Sequence, residues 1–115
     1  MPNPVVHFEI LGSDPAKTQA FYRELFGWTI NADNPMQYGI VEGGDGGIGG
    51  GVGATQDGSK LVTVYVQVQD LQAALDRAVE LGGRVVLPVT VVPNVVTLAQ
   101  FADPDGNVVG LVKGP

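Results

Sequence analysis

The sequence predicts an α+β domain made of two β-α-β-β-β modules with mixed sheets. Three observations carry this: strict alternation in VVHFEILG and LVTVYVQVQ, one capped helical segment after each of these runs, and a repeat that relates the two halves. In a strand, successive side chains point to opposite faces, whereas a helix repeats its apolar positions every three to four residues. Both periods occur here, in the same order, twice.

The first strand is Val5 to Gly12. Val6, Phe8 and Ile10 share one face, and Val5, His7 and Glu9 share the other. SDPAKTQAFYRELFG follows. Ser13 or Asp14 caps a helix, Pro15 suits its first turn, and Gly27 ends it. Ala16, Ala20, Phe21 and Leu25 form its expected apolar stripe. WTI is a short strand, NADNP a break, MQYGIVE (36–42) a strand, and GGDGGIGGGVG a glycine-rich segment with a further strand in it.

In the second half, Leu61 to Gln69 alternates, with Val62, Val64, Val66 and Val68 expected on the helix-packed face. Thr63, Tyr65 and Gln67 are opposite. Asp70 caps LQAALDRAVEL, whose stripe is Leu71, Ala74, Leu75, Ala78 and Val79, and Gly82-Gly83 stops it. RVVLP, VVTLAQFA and VVGLV are strands, the last two joined by the tight turn DPDGN. A shift of about 56 positions places Asp14 on Asp70, Glu24-Leu25 on Glu80-Leu81, Gly27 on Gly83 and His7 on Thr63.

The bulk properties narrow the function. With 115 residues, the chain is expected to be a single domain, with one module over about 1–56 and the other over about 57–115. A 44% hydrophobic content makes it globular. No apolar run is long enough for a bilayer and no signal peptide is evident, so a cytoplasmic protein is the expectation. There are no cysteines, which removes thiolate metal sites and a Cys nucleophile. The net charge of −6, with only six scattered Lys and Arg, argues against nucleic acid and fits a cationic or neutral small molecule. Most of the acids are surface.

The glycine run is no phosphate cradle. It leads into a strand rather than a helix N-terminus, and no Lys or Arg closes it. Glycines on a strand admit a close neighbour or a bend, and here they would enlarge a cavity. Gly43 to Gly47 is a candidate lid.

The doubled module, a histidine near the start of the first strand, FYRELFGW at the end of the first helix and FADPDGNVVGLV at the chain's end together resemble the vicinal oxygen chelate superfamily. That group includes glyoxalase I, the bleomycin-resistance proteins and the extradiol dioxygenases. The resemblance covers essentially the whole chain. It implies sheets curved around a cavity, a homodimer, and a divalent metal held by one ligand from each of four strands. His7 matches the first ligand position, Gly49 the position on the fourth strand, Thr63 the fifth and Gly110 the last. Two glycines and a hydroxyl beside one imidazole make a poor donor set. A cavity without cofactor is therefore expected. A His7–Glu9 site completed by water, with Tyr65 and Gln67 as oxygen donors, is the weak alternative.

The site residues expected to contact a planar or amine-bearing ligand are His7, Glu9, Trp28, Tyr38, Gly49, Thr63, Tyr65, Gln67, Phe101 and Gly110. The carboxylate of Glu9 would orient His7 and raise its pKa, as in a general base. A direct bond between side chains about 7 Å apart along a strand needs favourable rotamers or a bridge. His7 could equally be filler, and each aromatic could be core. Two functions follow: small-molecule binding with a degenerate metal site, or a glyoxalase-like lyase, isomerase or dioxygenase using His7 and Glu9. A cavity closed by its own side chains is the third possibility. If the strand positions are right, Gly110→Glu with Thr63→His raises affinity for a divalent ion, read by titration with Ni(II) and Zn(II).

Overall fold

The computed structural model of the protein describes residues 2–114. The element order is β1 (Val5–Gly12), α1 (Pro15–Phe26), β2 (Ile30–Asn31), β3 (Gly39–Val41), β4 (Gly49–Ala54), β5 (Leu61–Val68), α2 (Leu71–Glu80), β6 (Arg84–Val92), β7 (Val96–Ala102) and β8 (Val108–Lys113). This is β-α-β-β-β twice, and the fold is α+β. The chain forms two compact units: His7–Thr63, and residues 2–6 with 64–114.

In the first unit the strands run in the order β2-β3-β4-β1, with β1 parallel to β4 and the other pairs antiparallel. Asp14 caps α1 by accepting from the Lys17 N–H at 3.2 Å. Gly27 ends it with φ 69°, its N–H donating to the Arg23 carbonyl at 2.9 Å. The core holds Ile30, Val41 and Val52, with Phe8, Ile10, Tyr22 and Trp28 packed against it.

The docking face of α1 differs from the expected stripe. Phe21 and Leu25 are 58% and 56% exposed, and Ala16 and Ala20 are exposed too. Gln19 is buried instead. Its amide donates to the Val52 carbonyl at 2.8 Å and to the Gln37 carbonyl at 3.1 Å. Gly39 makes room for it, since a Cβ there would lie 2.7 Å from Gln19 Nε2. The helix is positioned by a polar side chain that satisfies backbone acceptors, a need that apolar periodicity does not register.

MQYGIVE yields a strand only from Gly39. Asn34 pairs with both backbone groups of Tyr38, accepting from its N–H at 2.9 Å and donating to its carbonyl at 2.7 Å. Gln37 takes φ 53°. Local side-chain bonding of this kind replaces the ladder.

The second unit repeats the plan in the order β5-β8-β7-β6, with β5 parallel to β8. Asp70 caps α2 by accepting from Ala73 N–H at 3.0 Å. Val68, Leu71, Leu75, Ala99 and Leu111 form its core, with Val66, Ala74 and Phe101 against them. Val62 and Val64 are 75% and 37% exposed, a departure from the uniform helix-packed face expected of this strand. A ten-residue helix is only about 15 Å long and reaches Val66 and Val68. β6 runs four residues beyond RVVLP and tolerates Pro88 as an edge strand with two register irregularities.

The two Gln19 bonds make a prediction. Gln19→Leu keeps the volume and leaves the buried Val52 carbonyl and the Gln37 carbonyl short of a donor, so it should destabilise the fold by about 1–3 kcal/mol. Urea unfolding followed by circular dichroism measures this.

Candidate functional site

β1 and β4 lie in register, so that His7 is beside Gly49, Phe8 beside Gly50, Glu9 beside Gly51, and Leu11 beside Gly53. The even-numbered members face α1. A Cβ on Gly50 would overlap the Phe8 ring. The odd-numbered members make the opposite face, and there the ring of Tyr38 lies across β4. A Cβ on Gly51 would overlap its hydroxyl end, and one on Gly53 would come within 2.8 Å of Cδ1. The glycines therefore do not widen a cavity, as the sequence suggested. They let two aromatic rings lie flat against one strand from opposite sides. Gly43 to Gly47, the expected lid, includes a turn closed by a Gly47 N–H to Gly44 carbonyl bond of 2.9 Å.

The hydroxyl of Tyr38 joins the two polar side chains of β1. It donates to Glu9 Oε2 at 2.9 Å and stands 3.0 Å from His7 Nε2. The phenol has one proton. Given to the carboxylate, it leaves the oxygen to accept from His7 Nε2–H. The order of donation is thus His7 to Tyr38 to Glu9, and neutral His7 is the Nε2–H tautomer. Tyr38 supplies the bridge that a direct His7–Glu9 contact lacked, a role more specific than pocket wall. The signal in the sequence is slight: an Asn four residues before a Tyr, opposite a strand of glycines.

Burial pushes the His7 imidazole below its ordinary value of 6.5, and the Glu9 charge offsets this only in part. The expected rise is reversed because losing water around a half-buried imidazolium outweighs the attraction of the carboxylate.

The second unit holds a comparable arrangement. Tyr65 is beside Gly110 in register, and a Cβ at Gly110 would overlap the Tyr65 ring. The Tyr65 hydroxyl accepts from Gln100 Nε2 at 3.1 Å, and Tyr65 is 6% exposed. The shift that places His7 on Thr63 also places Glu9 on Tyr65. Their register partners Gly51 and Gly110 then correspond, so the fourth-strand equivalent of Gly110 is Gly51 rather than Gly49. Thr63 is buried at 5% exposure. Gln67 is half-buried, and its Cγ would lie 3.0 Å from a Cβ at Gly114.

Trp28 and Phe101 fall elsewhere. Trp28 stacks on Tyr22 at 5.3 Å and packs on Phe8 at 5.3 Å, in the helix-side core. Phe101 faces α2 and lines a groove of about 420 Å³ with Val66, Ala74, Ala78 and Leu81. Neither shares a face with the polar residues. Strand alternation decides both: Phe8, under Trp28, alternates with His7 and Glu9, and Phe101 alternates with Gln100.

The residues do not fit the metal that the superfamily resemblance implies. The Tyr65 and Tyr38 rings cover Gly110 and Gly51, where side-chain donors would have to sit. Among the described residues no group of three or more His, Cys, Asp or Glu is placed to hold a metal ion. Gly110→Glu would drive a carboxylate into the Tyr65 ring, so the double variant suggested by the sequence needs Tyr65 truncated as well.

A family of glyoxalase-like domains matches residues 7–112. The chain belongs to this glyoxalase-like family, within the vicinal oxygen chelate superfamily. Proteins named "Putative glyoxylase CFP32" in Mycobacterium bovis and Mycobacterium tuberculosis are each 29% identical over 114 residues, covering 86% of this chain and 41% of theirs. The chain thus spans about two fifths of the length of these curated relatives. Among solved structures, a glyoxalase/bleomycin resistance protein/dioxygenase superfamily member from Vibrio splendidus is similar at TM-score 0.66 and 18% identity, over 98% of this chain and 100% of that one. A variant of methylmalonyl-CoA epimerase from Streptomyces coelicolor, solved with 2-nitronate-propionyl-CoA, is similar at TM-score 0.63 and 15% identity over 96% of each chain. At these identities the two structures speak for the fold alone. No helix among the described residues is long and apolar enough to cross a membrane.

The lowered His7 pKa has a sign that can be checked. The unfolded chain takes up the imidazole proton more readily than the folded one. Stability is therefore full above 6.5 and is lost as pH falls through the lower folded value. His7 is the only histidine, so its ring resonances should titrate with a midpoint below 6.5 by NMR. In His7→Gln this part of the acid-side loss of stability should vanish from urea unfolding at a series of pH values.

Proposed function

We propose that this glyoxalase-like domain binds a small molecule at the His7–Tyr38–Glu9 face and does so without the metal cage that the superfamily resemblance implies. One observation carries the reading. A carboxylate, a phenol and a neutral imidazole are joined by two hydrogen bonds of 2.9 and 3.0 Å beside glycines that the phenol ring itself covers. Half-buried polar groups gathered on one face are what a ligand of modest size needs for orientation. The ligand is planar or amine-bearing. The Glu9 carboxylate and the acidic balance of the chain favour a cationic group. A ligand-bound neighbour of the same fold, the epimerase solved with a CoA derivative, agrees with a small-molecule role.

The hydrogen-bonded order favours a second reading, a metal-free lyase or isomerase. If His7 Nδ1 takes a proton from a substrate, the imidazolium can pass its Nε2 proton to the Tyr38 oxygen while the Tyr38 proton passes to Glu9, which would let the chain act first as base and, in reverse, as acid. The protein in this reading is cytoplasmic and pairs as a homodimer, with the exposed Phe21, Leu25 and Phe26 of α1 as apolar surface for a second copy.

The test is a thermal-shift and ligand-observed NMR screen of planar and amine-bearing molecules. A cationic hit should lose about tenfold in affinity in Glu9→Gln, the scale of one charge-assisted hydrogen bond, with unfolding midpoints little changed. Hits indifferent to both Glu9→Gln and His7→Ala would overturn the assignment of this face.

A further inference from the structure

We propose that Tyr38 is a displaceable plug, and that the ligand taking its place is a flat aromatic ring bearing a hydroxyl group. The proposal rests on the small-molecule reading above and names the ligand class for that same face.

The floor comes first. The Tyr38 ring occupies the space that Cβ atoms at Gly51 and Gly53 would fill. A flat ring can lie against this backbone from one side, as Tyr38 does, and approaches it more closely than a tetrahedral or branched carbon.

The polar end comes second. The Tyr38 oxygen accepts from His7 Nε2–H and donates to Glu9 Oε2 from one atom. An ammonium can donate to Glu9 but has no lone pair for His7, and an ether or carbonyl can accept from His7 but leaves the carboxylate without a proton. A hydroxyl on an aromatic ring does both, so the protein's own phenol shows which group the pair fits.

The tether comes third. Tyr38 precedes β3 and hangs from a loop, with both backbone groups held by the Asn34 side chain and with Gln37 in the left-handed region at φ 53°. Its ring is half-buried and the adjoining Met36 is 82% exposed. Rotation about the Tyr38 side-chain bonds frees the floor without breaking a strand pair. Tyr65 is the contrast. It covers Gly110 in the same manner but is itself a β5 residue and is 6% exposed, so it is a fixed part of its unit. An incoming hydroxyaryl ring would remake the two hydrogen bonds to His7 and Glu9. Ligand atoms beyond the ring then favour the exchange.

The experiment uses the full chain and 4-methylphenol, with toluene as the shape control. Isothermal titration of Tyr38→Ala should show 4-methylphenol binding about tenfold or more tighter than toluene, since toluene lacks both hydrogen bonds. The preference should disappear when Glu9→Gln and His7→Ala are added. In the wild type with labelled tyrosines, excess 4-methylphenol should move the Tyr38 ring resonances and leave those of Tyr65 in place. If Tyr38→Ala does not fold, the wild-type NMR measurement decides alone. Equal binding of toluene, no binding to folded Tyr38→Ala, or an unmoved Tyr38 ring in the wild type each overturns the plug. An amine that binds the wild type through Glu9 while Tyr38 stays in place overturns the plug and leaves the small-molecule reading standing. Silence of every probe, 4-methylphenol included, overturns both.

Discussion

Three rings resting on bare backbone organise this protein. Phe8 lies over Gly50, Tyr38 over Gly51 and Gly53, and Tyr65 over Gly110. Glycine in a strand gives up side-chain packing and costs conformational entropy. Here the loss is offset because the neighbouring ring fills the vacated volume. On β4 the device works from both sides at once, one ring contributing to the core under α1 and the other closing the opposite face. Any side chain at Gly51 would move Tyr38 off the strand, and with it the bridge between His7 and Glu9.

That bridge resolves an electrostatic problem. A half-buried carboxylate is costly unless it is hydrogen-bonded, and the imidazole on the same face of β1 is one whose charged form burial disfavours. The Tyr38 hydroxyl meets both groups with a single oxygen, donating to Glu9 and accepting from His7. The consequence is a face without a compact set of anionic metal donors, holding instead a neutral imidazole, a phenol and one carboxylate in fixed order. Two of the four positions that the superfamily resemblance assigns to metal ligands are glycines covered by rings, while His7 and Thr63 stand at the other two.

The helix and the site are linked through Gln19. Its amide ties the Gln37 carbonyl, next to Tyr38, to the Val52 carbonyl on β4. The loop that presents the phenol and the strand beneath it are therefore held by one buried side chain of α1. Because α1 docks through Gln19 and Tyr22, its aromatic and aliphatic residues Phe21, Leu25 and Phe26 are left at the surface.

The sequence by itself determined the order of elements, the caps at Asp14 and Asp70, the stops at Gly27 and Gly82, and the DPDGN turn, because each depends on neighbours within a few residues. It also determined that His7 and Glu9 share a face, since strand alternation allows nothing else. What only the tertiary structure decided was which distant groups meet. Tyr38 reaches β1 across Gly51 through a contact 29 residues away from Glu9. Trp28 and Phe101 turned to the helices, and Val62 and Val64 ran beyond the reach of α2. The buried face of α1 went to Gln19 against its apolar periodicity. Periodicity reports which residues avoid water, but not which backbone carbonyl lacks a donor or which glycine is about to be covered. Those are properties of three-dimensional neighbours, and they set the chemistry of this face.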